Sequence, residues 1–213
     1  MCIIKRLKRL LSYNGIESKP NKTNKGEGYT KVKEMYILDE DTRRELNRIK
    51  VLLIDATKKH FSKLVQEFGE GNIYGYTLYT CDDATSVGPV ANRITDFTKD
   101  KNDPLYSYYR YGAQEWTLWD DYGFFNEVNH MLRELVERHY DEVIEFHVFR
   151  QEIFSLFLSV LTILKEEKVF LNMSSESYLA VWVSDSDSEI TSESVRVLNN
   201  DDVYLEYAKE YGI

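Results

Sequence analysis

Carboxylates alternate with serines in Ser184–Glu189, SDSDSE. In an extended segment Asp185, Asp187 and Glu189 share one face, and three hard oxygen donors on one face suit Mg²⁺ or Ca²⁺. The loop glycine and the twelfth-position Glu of an EF-hand are missing. The same residues also read as a helix start. Ser186 and Glu189 stand at capping-box spacing, and Asp187 becomes an acidic first-turn residue that complements the helix dipole. A second acidic pair, Asp82-Asp83, closes the run IYGYTLYTC. If the strands before the two acidic runs end on the same edge of a sheet, Asp82, Asp83, Asp185 and Asp187 could converge. Converging carboxylates raise one another's pKa, which suits acid/base or cation chemistry. If the strands are antiparallel neighbours, the pairs lie at opposite ends and that chemistry fails.

Two other groups of residues could act. Glu115 lies beside Trp116 in an aromatic, otherwise uncharged stretch, where a lone carboxyl could work as a general acid. The bland alternatives are an exposed edge position or an ion pair with Arg110. Tyr204, Tyr207 and Tyr211 recur at three- and four-residue spacing among Asp201, Asp202, Glu206 and Glu210. Tyrosine with carboxylates suits recognition of a basic protein surface, and the alternative is that the rings pack the last helix onto the core. His60, His130, His139 and His147 show no metal-ligand spacing, and P-loop, G-x-G-x-x-G and G-x-S-x-G motifs are absent. No catalytic residue, cofactor or metal is assigned, and the balance tilts away from an enzyme.

The elements that must position these residues follow from periodicity. Asp39, Glu40 and Asp41 open a helix whose apolar face is Leu46, Ile49, Leu53, Ala56, Leu64 and Phe68, and Gly69 and Gly71 stop it. Ile73–Cys81 alternates as a strand, in which Gly75 marks a bulge or a close backbone approach. Val87–Val90 begins a turn or short strand, and Ala91–Phe97 a short helix. Leu105–Trp119 reads as two short strands, or one strand and an irregular segment. A helix of some twenty residues is expected after Asp120-Asp121, and a very apolar one from Ile144 to Lys168. Tyr178–Val183, YLAVWV, reads as a strand buried on both faces and as the centre of the sheet. Glu189–Leu198 and Asp201–Tyr211 read as helices. Strands that do not alternate with helices favour an α+β fold, a mostly antiparallel central sheet packed against helices.

Charge divides the chain. Residues 1–33 carry nine Lys/Arg against Glu17 and Glu27, a net +7, so the remaining 180 of 213 residues carry −16. The expected organisation is a basic segment and flexible linker over 1–33 and one domain over 34–213. An acidic body repels nucleic acid and attracts basic partners. Met1–Leu11 sets Ile3, Ile4, Leu7, Leu10 and Leu11 at helical spacing among Lys and Arg, which suits weak contact with an anionic membrane. The longest uncharged run, Ile153–Leu164, is too short to span a bilayer. The two cysteines, Cys2 and Cys81, form no C-x-x-C, which suits a reducing cytoplasm.

Ile73–Thr80, Glu115-Trp116 and above all Val181–Glu189 (VWVSDSDSE), followed by Ser192–Leu198 and Val203-Tyr204, resemble the bacterial domain-of-unknown-function family numbered 4303. The resemblance runs from about Asp41 to Tyr207. It carries over no catalytic residues; families of this general kind often occur near bacterial toxin genes as putative immunity proteins, an association looser than the family match itself. Three readings follow. The first is an immunity-like module that binds a basic, toxin-like protein. The second is a metal-dependent or acid/base enzyme built on Asp82, Asp83, Asp185 and Asp187. The third is a membrane-peripheral protein held by Met1–Leu11. Nothing in the sequence speaks to oligomeric state.

Overall fold

The computed structural model describes residues 38–120, 122–139, 143–184 and 188–213. The basic segment with Met1–Leu11, and Asp185, Ser186 and Asp187 of the acidic run, lie outside the described residues.

Helix α1, Glu40–Phe68, starts where the Asp39 carboxylate accepts from the Thr42 amide at 2.7 Å. It stops at Gly69, whose φ of 88° is a conformation that suits glycine. The chain then forms β1 (Ile73–Thr80) and β2 (Val87–Arg93) as an antiparallel hairpin, with a register shift between Ile73 and Gly75. A 3-10 turn at Ile94–Asp96 replaces the expected short helix, because the residues before it pair as strand. Residues Tyr106–Tyr111 form α2, followed by a 3-10 turn at Ala113–Glu115 and the two-residue β3, Leu118–Trp119. The expectation of strands over 105–119 is corrected here. The aromatic residues favour strand by type, but a helix turns Tyr106, Arg110 and Tyr111 together into the interior. Then come α3 (Asn126–His139), α4 (Val143–Glu166), a 3-10 turn at Val169–Asn172, β4 (Tyr178–Val183), α5 (Glu189–Leu198) and α6 (Asp201–Tyr211).

The sheet order is β3-β2-β1-β4. The β1–β2 and β2–β3 pairs are antiparallel, as a mostly antiparallel α+β sheet requires, but β1 and β4 are parallel, so the sheet is mixed rather than purely antiparallel. A strand reached only after two intervening long helices re-enters by a crossover, which permits parallel pairing. The strand read as the centre, β4, is at the edge, and β1 is the inner strand flanked on both sides.

All six β4 residues are nonetheless buried, because α5 covers the free edge. The Leu179 amide donates to Asn199 Oδ1 at 2.8 Å, and Asn199 Nδ2 donates back to the Leu179 carbonyl at 2.8 Å. The Val181 amide donates to Ser194 Oγ at 2.9 Å and the Val183 amide to Thr191 Oγ1 at 3.4 Å. The spacing fits. Four strand residues rise about 13 Å and eight helical residues about 12 Å, so side chains at 191, 194 and 199 meet amides at 183, 181 and 179. The helix thus does for the edge what a further strand would do.

One face of the sheet, through Tyr76, Leu78, Leu179 and Val181, packs on Ile49, Leu53 and Leu64 of α1, Leu132 and Leu135 of α3, and Phe149, Phe157 and Leu161 of α4. By length and composition Phe146–Glu166 could cross a membrane, yet Ile153, Phe154, Val160 and Leu164 are buried in this core. The opposite face carries an aromatic layer of Tyr74, Trp116, Tyr178 and Trp182, covered by Tyr111 of α2 and Tyr207 of α6.

A bidentate ion pair ties the end of β2 to the 3-10 turn after it. Arg93 Nε and Nη2 donate to Asp96 at 2.7 and 2.6 Å, and Thr117 Oγ1 donates to the same carboxylate at 3.2 Å. The Arg93 bonds lead in holding the Asp96 carboxyl below its ordinary 3.8. A depressed folded-state pKa stabilises the fold above the ordinary value and loses that contribution as pH falls through the folded one. Asp96→Asn is therefore expected to lower the urea midpoint at neutral pH and to flatten its decline below about pH 4. Urea titrations across that range check it, and parallel curves for the two proteins would refute it.

Candidate functional site

The parallel β1–β4 register pairs Thr80 with Val183, and the Ser184 amide donates to the Thr80 carbonyl at 2.9 Å. The C-terminal ends of β1 and β4 therefore lie at the same end of the sheet. Asp82 and Asp83 are each engaged there. Arg150 of α4 donates through Nη1 to the Asp82 carbonyl at 2.9 Å and to its carboxylate at 3.0 Å. The Asp83 carboxylate accepts from the Cys81 thiol at 2.7 Å, from Thr85 Oγ1 at 2.8 Å and from the Thr85 amide at 3.3 Å, closing the β1–β2 turn. His147 stands beside Arg150, with Nδ1 at 3.2 Å from Nη2, and burial with the neighbouring cation holds its pKa below 6.5. Among the described residues no three His, Cys, Asp or Glu converge as metal ligands. The first described residue of the run after Asp187 is Ser188, the N-cap of α5, and Glu189 is the first helical residue. A capping box from Ser186 needs Glu189 two positions further into the helix, so that expectation is corrected.

The other candidates divide by burial. Glu115 is exposed and accepts from the Tyr108 hydroxyl at 2.8 Å, while Arg110 turns instead to Glu176. Trp116 is 3% exposed, and its ring lies against the backbone of Gly75. Tyr207 is 3% exposed, packed on Tyr111, Tyr178 and Tyr211. Trp116 is thus a core residue, and the expectation that it presents a binding surface is corrected; Tyr207, though almost fully covered, also lines the cleft described below. Large rings on a sheet face contribute most when another layer covers them. Tyr204 is half-buried against the same cluster.

The structure also forms a cleft of about 610 Å³ at the strand ends, on the aromatic face. Its walls include Tyr79 from β1, Trp182 from β4, Ser192 from α5, Tyr211 from α6, and Gln114 from the 3-10 turn. The Trp182 and Tyr211 ring centroids are 6.0 Å apart, and those of Tyr207 and Tyr211 4.6 Å. No Lys or Arg is among the described lining residues. Among the described residues, the buried hydroxyls of Tyr211 and of Tyr178 in the layer beneath have no hydrogen-bond partner. Burial, then the neighbouring Tyr207 and the carboxylates of Glu210 and Glu115, push the Tyr211 phenol well above its ordinary value. The cleft wall is mixed, with the Tyr and Trp rings beside Gln114, Ser184, Ser188, Thr191 and Ser192.

A second groove, of about 790 Å³, runs between α1 and α3. Arg48 pairs there with Glu127 at 3.5 Å and Arg138 with Glu45, and Glu134 and Glu137 leave the groove acidic.

Sequence reasoning singled out the tyrosine spacing of α6 but not Tyr79, Gln114, Trp182 or Ser192. These lie on elements far apart in the chain, and no local pattern marks them as neighbours.

A family model described as a domain of unknown function, DUF4303, matches residues 53–200, and the chain belongs to that family. Comparison with curated proteins and with solved structures gives no match.

Proposed function

We propose that this DUF4303 chain is a protein-binding module that recognises a basic partner, acting as an immunity protein acts when it covers a basic toxin. The supporting observation is the aromatic cleft, with no Lys or Arg among its described walls. It belongs to a body whose residues 34–213 carry a net charge of −16. An excess of one sign steers an oppositely charged partner and raises its association rate. Desolvated aromatic pockets supply the anchoring contacts of such interfaces, and tyrosine and tryptophan are favoured there.

The test is titration of the full chain with basic proteins encoded beside its gene, at low and at physiological salt. The expected result is saturable binding whose association rate falls as salt rises. Absence of binding to every basic candidate at low salt overturns the proposal.

A further inference from the structure

The chain has three tryptophans, and two of their N–H groups have an acceptor. Trp116 Nε1 donates to the Tyr109 carbonyl at 3.3 Å, and Trp119 Nε1 donates to the Trp116 carbonyl at 3.1 Å. The indole N–H of Trp182 has no acceptor among the described residues. Trp182 is 9% exposed and lines the cleft. Its N–H is not one of the fully covered unpaired groups, as the Tyr211 and Tyr178 hydroxyls are, so a ligand can reach it. A buried tryptophan N–H ordinarily finds a partner, and this one has none within the described fold.

The rest of the cleft narrows what that partner is. No charged side chain is among its described lining residues. A charged ligand group would give up its hydration there without a counter-charge. The rings of Tyr79 and Tyr211 stand on the walls, with the Trp182 and Tyr211 centroids 6.0 Å apart. Gln114, Ser184 and Ser192 add neutral polar groups, none of them buried. The site therefore suits a neutral ligand with an apolar surface and an oxygen acceptor for one fixed donor.

A proline-rich stretch of polypeptide meets that description. Proline presents an apolar ring and a carbonyl oxygen, and it has no N–H to be stranded against the rings. An ordinary extended segment brings an N–H with every carbonyl. The polyproline II conformation exists before binding, so ordering it costs little, and aromatic-lined grooves are the surfaces that take it. At 9% and 3% exposure, Trp182 and Tyr207 have too little open ring surface for a flat ligand such as a nucleobase to stack on.

We infer that the cleft takes a proline-rich segment of the partner in polyproline II conformation, one of whose carbonyl oxygens accepts from the Trp182 indole N–H. The volume of about 610 Å³ is that of a small-ligand site, so a few residues enter. This assignment rests on the reading of the chain as a protein-binding module, and it names the part of the partner that enters the cleft. The acidic body steers a basic partner, and the uncharged cleft holds its neutral segment.

The experiment uses the full chain with ¹⁵N-labelled indoles and three uncharged probes: acetylated hexaproline amide, the acetylated amide of (Gly-Ala)₃, and maltohexaose. The expected result is a saturable shift of the Trp182 indole resonance on adding hexaproline, the resonance being identified by its loss in Trp182→Phe. The glycine-alanine peptide is expected to bind about tenfold more weakly, and hexaproline affinity is expected to be independent of salt. Trp182→Phe keeps an aromatic ring and removes the donor, so hexaproline affinity, measured by calorimetry, is expected to fall by roughly five- to tenfold. If that variant does not fold, Gln114→Ala, at an exposed position, takes its place with an expected loss of about threefold. The inference is overturned by no saturable shift, by equal binding of the glycine-alanine peptide, or by unchanged affinity in the variant that folds. Tighter binding of maltohexaose than of hexaproline also overturns it and marks a saccharide site. If basic proteins bind in a salt-dependent way while hexaproline stays out of the cleft, the inference falls and the broader proposal stands. If hexaproline binds and no basic protein does, the cleft keeps its assignment and the basic partner is refuted. If neither binds, both fall.

Discussion

Asn199→Ala is expected to destabilise the fold by about 2–4 kcal/mol and to make the protein self-associate. The Asn199 amide group makes three bonds, accepting from the Leu179 amide and donating to the Leu179 and Val195 carbonyls, each at 2.8 Å. Alanine strands both Leu179 groups at a covered sheet edge, and each buried orphan costs about 1–3 kcal/mol. Asn199→Asp keeps the acceptor but sets an anionic oxygen against the Leu179 and Val195 carbonyls, so it is not expected to restore the stability. Ser194, fully buried, has a parallel role, since its Oγ accepts from the Val181 amide and donates to the Thr191 carbonyl at 2.7 Å. Urea denaturation measures the stability, and light scattering at rising concentration reads the exposed edge. If Asn199→Ala scatters light as the parent protein does and stays within 0.5 kcal/mol of it (about the scatter of a neutral surface change), the edge is sealed by something other than these side chains.

Gly75→Ala is expected to cost about 2–3 kcal/mol by overpacking. A methyl group built on Gly75 would stand 2.4 Å from Cη2 of Trp116, 2.7 Å from Cζ2 and 2.8 Å from Cζ3. The ring cannot swing aside easily. It meets Tyr74 and Tyr178 with centroids 5.8 Å away on each, and its Nε1 donates to the Tyr109 carbonyl at 3.3 Å. The strand cannot retreat either, because β1 has a hydrogen-bonded neighbour on both sides. A lowered urea midpoint with altered near-ultraviolet circular dichroism is the expected observation. Adding Trp116→Leu to Gly75→Ala should cost less than the two single changes summed, since both act on one contact. Strict additivity would show that the ring and the glycine do not meet.

Where the sequence was legible, the cause was local. The helices at Glu189–Leu198 and Asp201–Tyr211 match the observed ones, because apolar spacing and flanking polar residues set their ends. Gly69 stops α1 as its position implied, and Gly75 marks both a register shift and a close approach. The segment 105–119 was misread for the opposite reason. Its tyrosines suit a strand or a helix equally, and only the burial of Arg110 among Tyr74, Tyr106 and Tyr111 favours the helix.

The strand Tyr178–Val183 shows the boundary most clearly. Its composition dictated burial on both faces, and burial is what the fold has. It could not dictate position, because a strand under a helix and a strand between strands bury the same side chains. The choice of edge lay with Thr191, Ser194 and Asn199, polar residues whose spacing matters only once α5 lies antiparallel to β4. The candidate site divides in the same way. The sequence by itself determined an acidic body, the two acidic runs and the tyrosine spacing of α6. Tertiary structure alone decided that β1 and β4 run parallel, that Asp82 and Asp83 are spent on Arg150, Cys81 and Thr85, and that Tyr79, Gln114, Trp182, Ser192 and Tyr211 enclose one cleft. Local patterns record the burial of a residue's own surface, whereas a cleft is a relation among elements separated by more than a hundred residues.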